Sequence, residues 1–120
     1  MSDKAQLIAE QNDQFRTTCG LPIPPQARPV PGQLMITAGI AALPGEVQAE
    51  IVRAVMAFND FTEDNDPYGE HDFGSLVHAA AGKIFWKFDY YDPELRFGSD
   101  DPSDLSQTMR VLTIMLAEEY

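Results

Sequence analysis

The chain predicts an α+β domain: a small antiparallel sheet, made of one strand plus a hairpin, with helices packed on one face. Three observations carry this prediction. Residues 44–60 space Val47, Ile51, Val55 and Phe58 at helical intervals, with Glu46, Gln48, Glu50 and Arg53 turned the other way. Residues 83–91 alternate instead, with Ile84, Trp86, Phe88 and Tyr90 on one side and Phe85, Lys87, Asp89 and Tyr91 on the other. The proline-rich run Gly20–Gly32 tolerates neither helix nor central strand, because proline lacks the backbone donor and fixes φ. It divides the chain into an N-terminal helix and linker (1–32) and a single α+β domain (33–120).

In chain order, Asp3 to about Thr18 is a short helix that Asp3 would cap. Its apolar face of Leu7, Ile8 and Phe15 is thin. The prolines then form an extended spacer with polyproline character lying across the surface. Gln33–Ile40 reads as a short strand that Gly39 ends or bends. Pro44 suits the first turn of the amphipathic helix that follows. After an acidic loop, Phe73–His78 and Lys83–Tyr91 are the two hairpin arms, joined by a turn at 79–82. Asp92-Pro93 ends the second arm. Asp101, Pro102 and Asp104 have the composition of a helix start, and Leu105, Met109, Leu112 and Leu116 continue at helical spacing, predicting a terminal helix over about 103–118.

Charge narrows the function classes. The 120 residues carry a formal net charge of -11, with eight Lys and Arg against nineteen Asp and Glu. Nucleic-acid affinity comes largely from cations that neutralise phosphates, so direct nucleic-acid binding is not expected. Anionic membrane surfaces are disfavoured for the same reason, and no apolar run is long enough to span a bilayer. Between Asp60 and Asp104 twelve acidic residues face only Lys83, Lys87 and Arg96. Such a field attracts basic proteins or cations, and in the plainer reading it keeps the protein soluble. Cys19 is the only cysteine, so neither an internal disulfide nor a cysteine metal cage can form. The N-terminal residues lack the pattern of a signal peptide, and a cytoplasmic location is the expectation.

Three segments resemble a known family: Asp64-Asn65-Asp66-Pro67-Tyr68-Gly69-Glu70-His71-Asp72-Phe73-Gly74, then 84–92, then 110–120. Together with the Thr37–Pro44 segment they resemble the bacterial family catalogued as domain of unknown function 3768, found chiefly in alphaproteobacteria. The resemblance spans roughly Leu34 to Tyr120. It implies a family and an origin and carries over no catalytic residue. Members of that family often lie on plasmids and other mobile elements near genes linked to conjugation and anti-restriction, which associates the family with counter-defence or plasmid maintenance.

The acidic loop is the candidate functional site, with Asp64, Asp66, Tyr68, Glu70, His71 and Asp72 as its residues. Three readings of it stand side by side. Asp64, Asp66 and Asp72 around Gly69 resemble the start of a calcium loop; no metal is expected, and a divalent cation (calcium, magnesium or manganese), if one binds, would take these three. The template breaks at Tyr68 and Pro67, and Ser75 stands where a closing glutamate belongs. Glu70, His71 and Asp72 supply a base, a proton shuttle and an orienting carboxylate for a metal-dependent hydrolase, although no nucleophile or phosphate cradle accompanies them. In the third reading the short polar side chains satisfy backbone donors and lock the helix end to the hairpin. Phe85, Lys87, Asp89 and Tyr91 form a second candidate contact surface, on the sheet. The leading expectation is a small non-catalytic interaction protein that binds a basic partner protein.

Overall fold

The computed structural model describes residues 3–120; Met1 and Ser2, part of the N-terminal stretch considered above, lie outside the described residues. Four strands form one sheet in the order β1-β4-β3-β2, with β1 at Gly32–Ile36, β2 at Phe73–His78, β3 at Gly82–Tyr91 and β4 at Met109–Leu116. Helices α1 (Asp3–Arg16), α2 (Ala38–Ala41) and α3 (Gly45–Ala57) complete the α+β fold.

The hairpin lies where its pattern places it. Alternation along β3 buries Ile84, Trp86 and Phe88, and these face the helices. Phe15 of α1 meets Phe88 edge-on, while Phe58, just past α3, meets Trp86 the same way. Ile40, Val47, Ile51 and Val55 fill the space between. The helices therefore cover one face of the sheet. On the opposite face Phe73, Phe85 and Tyr120 form an aromatic group and Lys87 pairs with Asp89 at 2.8 Å. Gly74 of β2 lies against the Trp86 indole, and a Cβ there would collide with the ring.

The C-terminal segment departs from the expectation. The residues predicted as a helix over 103–118 form a single 3-10 turn at Leu105–Gln107 and then strand β4. The helix-start residues do form local caps: Asp101 accepts from Ser103 N–H at 3.1 Å, and Asp104 accepts from Ser106 N–H at 2.9 Å. No helix propagates from them. Arg110, Leu112 and Ile114 alternate inward, Val111, Thr113 and Ile114 are β-branched, and eight rungs of pairing with β3 are available, from Tyr91↔Met109 to Ile84↔Leu116. An apolar run of this length fits helical and strand periods alike, and the available neighbours decide between them.

β4 also changes the sheet. It runs parallel to β1, from Gly32↔Arg110 to Ile36↔Ile114, so the sheet is mixed rather than antiparallel. β1 stops at Ile36, and Gly39 and Ile40, expected in the strand, belong to the single turn α2. Ile40 is thereby fully buried in the core.

The N-terminal helix is more firmly held than its thin apolar stripe suggests. Ala5, Ile8, Ala9 and Phe15 are buried, and so are Gln11, Asn12 and Arg16. The proline-rich run is mostly exposed, but Val30 is buried, and the Arg28 guanidinium, which sits over the Phe15 ring, bonds the carbonyls of Thr18 and Leu21. No helix among the described residues is long and apolar enough to cross a membrane.

Candidate functional site

The acidic loop leaves α3 at Ala57 and is anchored first by aromatic packing. Phe58 and Phe61 both set their rings edge-on to Trp86, at 5.4 and 6.1 Å between centroids. Short polar side chains then close successive turns. Thr62 N–H donates to Asn65 Oδ1 at 2.7 Å, Asn65 Nδ2 donates to the Asp60 carbonyl at 2.6 Å, and Asp66 N–H donates to the Thr62 carbonyl at 2.8 Å. This is the turn chemistry expected of Asn, Asp and Thr. Gly69 takes φ 69°, and two residues later His71 takes φ 54°, a left-handed conformation uncommon for a residue with a side chain. The chain therefore curls between Glu70 and Asp72 instead of running extended.

That curl places His71 between two carboxylates. The His71 ring stacks on Phe61, 3.8 Å between centroids and 2° from parallel. Its backbone N–H donates to both oxygens of Asp66, at 3.2 and 3.3 Å, and Asp66 is buried. Its Nδ1 lies 2.9 and 3.0 Å from the two oxygens of Asp13 on α1, and a carboxylate only accepts, so Nδ1 carries the proton. Asp13 in turn pairs with Arg16 Nη2 at 3.1 Å. Arg16 is 2% exposed and spends Nη1 on the carbonyls of Val55 and Met56 at the end of α3, where the Val55 carbonyl also accepts from the Phe58 N–H. One chain of contacts, Asp66–His71–Asp13–Arg16, thus fastens the loop, α1 and α3 together.

A second network starts one residue away. Asn12 Nδ2 donates to the Glu70 carbonyl at 3.0 Å and to Tyr90 Oη at 2.8 Å, while Asn12 Oδ1 accepts from Arg110 Nε at 2.8 Å. Arg110 Nη2 donates to Gln11 Oε1 and to the Pro102 carbonyl. Arg110 is fully buried on β4, and its guanidinium sits over the Tyr90 ring. Burial lowers its pKa, and burial raises that of the Tyr90 hydroxyl. The Glu70 carboxyl is also held above its ordinary range, first by desolvation and then by the Asp72 charge. Desolvation raises Asp72 in the same direction. Burial pushes the Cys19 thiol up to about 11, which keeps it protonated and unreactive at neutral pH.

The predicted loop residues thus separate into inner and outer groups. Asp66 is buried as a strut, Glu70, His71 and Asp72 are half-buried, and Asp64 and Tyr68 face solvent. Asp72 also works through its backbone, accepting from Phe88 N–H at 2.8 Å. Among the described residues no three His, Cys, Asp or Glu side chains are grouped as a metal ion would need. Beside the loop, a cleft of about 730 Å³ opens between Pro67–Glu70 and the first turns of α1. The second candidate set, Phe85, Lys87, Asp89 and Tyr91, lies on the helix-free face of the sheet, as its alternation requires. Sequence reasoning missed Asn12, Asp13, Arg16 and Arg110. The available signals were Asn12 and Arg16, four residues apart beside Phe15, and one arginine inside an apolar run.

The loops carrying most of the acidic residues emerge at one end of the sheet. β2 begins at Phe73 beside Lys87, β3 ends at Tyr91, and Tyr91 faces Met109 at the start of β4. Loops 60–72 and 92–108 therefore share that end, and adjacent α1 residues touch both: Gln11 donates to the Ser103 carbonyl and Asn12 to that of Glu70. The family described as Protein of unknown function (DUF3768) matches residues 36–119. No curated protein and no solved structure matches the chain.

Proposed function

The chain belongs to the family of proteins of unknown function DUF3768, and we propose that it is a small, non-catalytic, cytoplasmic interaction protein whose acidic end engages a basic partner protein. The observation that carries this reading is where the charges go. Arg16 and Arg110 are fully enclosed and tie down backbone carbonyls and neutral or acidic side chains, so two of the eight basic residues contribute almost nothing to the surface. Among the described residues Asp66 is the one carboxylate buried in the same way, so solvent meets a slightly more acidic surface than the net charge of -11 implies. Around loops 60–72 and 92–108 the exposed carboxylates include Asp60, Glu63, Asp64, Glu94 and Asp100, while Arg96 is the only basic residue within those loops.

The loops are also stiff, because Asp66, His71, Asn12 and Gln11 pin them from within. A pre-formed charged surface loses little entropy on docking and steers an oppositely charged partner during encounter. The partner surface proposed is a groove that otherwise accepts phosphates, as in a nucleic-acid-handling protein encoded on or opposing a mobile element.

The test is capture from the native host with two tagged baits, the wild-type chain and a variant carrying Glu63→Lys, Asp64→Lys, Glu94→Lys and Asp100→Lys. The expected result is a basic protein retained by the wild type, lost from the variant, and released as salt is raised. A partner held equally by both baits, or indifferent to salt, would overturn the reading.

A further inference from the structure

We infer that β2 is a self-recognition edge, on which a second copy of this chain adds its own β2 in antiparallel register centred on Ser75. This edge adjoins the acidic end at Asp72, but its pairing does not depend on the reading given above.

The register of the hairpin shows what the edge offers. Phe88 N–H donates to the Asp72 carbonyl, and bonded and non-bonded pairs alternate along an antiparallel ladder. Asp72, Gly74, Leu76 and His78 therefore turn their N–H and C=O groups toward β3. Phe73, Ser75 and Val77 turn theirs outward, and among the described residues no strand pairs with β2 on that side. Natural edges are usually blunted by proline, lysine or inward-pointing charge. Phe73–His78 has none of these, and Val77 is 77% exposed.

Two-fold pairing about Ser75 uses the whole strand. Ser75 faces Ser75 of the second copy and Phe73 faces its Val77, so the outward groups make about six main-chain hydrogen bonds. The competing centre, Leu76, brings fewer outward groups opposite one another. With Ser75 at the centre, Phe73 and Val77 pack across the join on the helix-free face. Asp72 comes opposite His78, and the acidic residues 70–72 of one copy lie beside the end of the other that carries Arg53, Lys83 and the His78–Glu50 pair.

The same antiparallel sense limits self-repulsion. Six residues of strand span about 20 Å, more than twice the screening length of about 8 Å at physiological salt. The two acidic ends are thus held apart while each meets the less acidic end of the other copy. The contact is small, and the expected dimer is weak, with a dissociation constant on the order of 0.1 mM.

Sedimentation of the full chain up to about 1 mM, with amide exchange at the same concentrations, tests the proposal. The wild type is expected to move toward dimer mass, with exchange slowing at Phe73, Ser75 and Val77 and unchanged at Gly74 and Leu76. Ser75→Pro removes an N–H that no strand of the monomer uses and is tolerated on an edge, so it is expected to stay folded and monomeric. Val77→Glu, which alters an exposed side chain only, is expected to weaken the dimer at least tenfold. A wild type that stays monomeric overturns the proposal, as does a dimer that survives both substitutions. Protection of the three outward amides by polylysine in a chain that remains monomeric would assign the edge to a basic partner and equally overturn it.

Discussion

The ring of His71 lies flat on Phe61 while its Nδ1 donates to Asp13, so the acidic loop is clamped from one side by an aromatic plane and from the other by a helix. The loop's central histidine is spent on position, and its carboxylate neighbours differ in what they hold.

His71→Ala removes the stack and the bond to Asp13 but keeps the left-handed backbone. It is expected to lower stability by about 2 kcal/mol, read from urea unfolding. His71→Gly relieves the backbone strain and should recover part of that loss. If His71→Ala unfolds at the wild-type midpoint, the clamp contributes nothing and the loop is held elsewhere.

Arg110→Leu fits the apolar surroundings of β4 but leaves Gln11 Oε1, Asn12 Oδ1 and the Pro102 carbonyl without their donor. The expected cost is about 3 kcal/mol. Arg110→Lys should recover little, since an ammonium cannot reproduce the planar fork that spans those acceptors. Chemical denaturation of both variants decides it, and a lysine variant as stable as wild type would refute the role of the fork.

Glu70 and Asp72 give a pH prediction whose sign is opposite to that of an ion-paired carboxylate. Their folded pKa values are raised, chiefly by desolvation, so the folded state favours their protonated forms. Their contribution to stability is full below the unfolded pKa and is lost as pH rises through the raised folded value. Asp101, Asp104 and Glu119, lowered by hydrogen bonds from nearby side chains and backbone N–H groups, contribute in the opposite sense and lose their share as pH falls. Glu70→Gln is therefore expected to be more stable than wild type at neutral pH and no more stable in acid. Melting temperatures measured across that range check it, and an equal gain at every pH would show that ionisation is not the cause.

Asp66 is buried and bonded to the His71 backbone, and no three ligand-type side chains are grouped among the described residues. Calcium, magnesium, manganese and zinc are expected to leave the melting temperature where EDTA leaves it. A ligand that binds only the folded state must raise the midpoint, so a reproducible rise with any one ion would favour the ion-binding reading of the loop.

The hairpin was legible because both its signals are local: alternation along Lys83–Tyr91 and a turn at its head. The terminal strand was not. Leu105, Met109, Leu112 and Leu116 satisfy a helical period, and only the rungs contributed by β3 and β1, distant in sequence, make Arg110, Leu112 and Ile114 an inward row instead. The acidic loop stood out from composition, and Thr62, Asn65 and Asp66 close its turns as short polar residues do. Its supports were hidden, because α1 holds it with Asn12, Asp13 and Arg16, residue types that an amphipathic count assigns to solvent.

Of the four strands, β4 is the one translated last, yet both β1 and β3 depend on it as a neighbour. Until residues 109–116 take their place, the earlier strands have only the hairpin contact and no common sheet. The edges of β1 and β3 that face each other stay unpaired, open to chaperones or to premature contacts, until that strand slots between them. Assembly of this protein is therefore governed by the arrival of a middle strand rather than by outward growth from a finished nucleus.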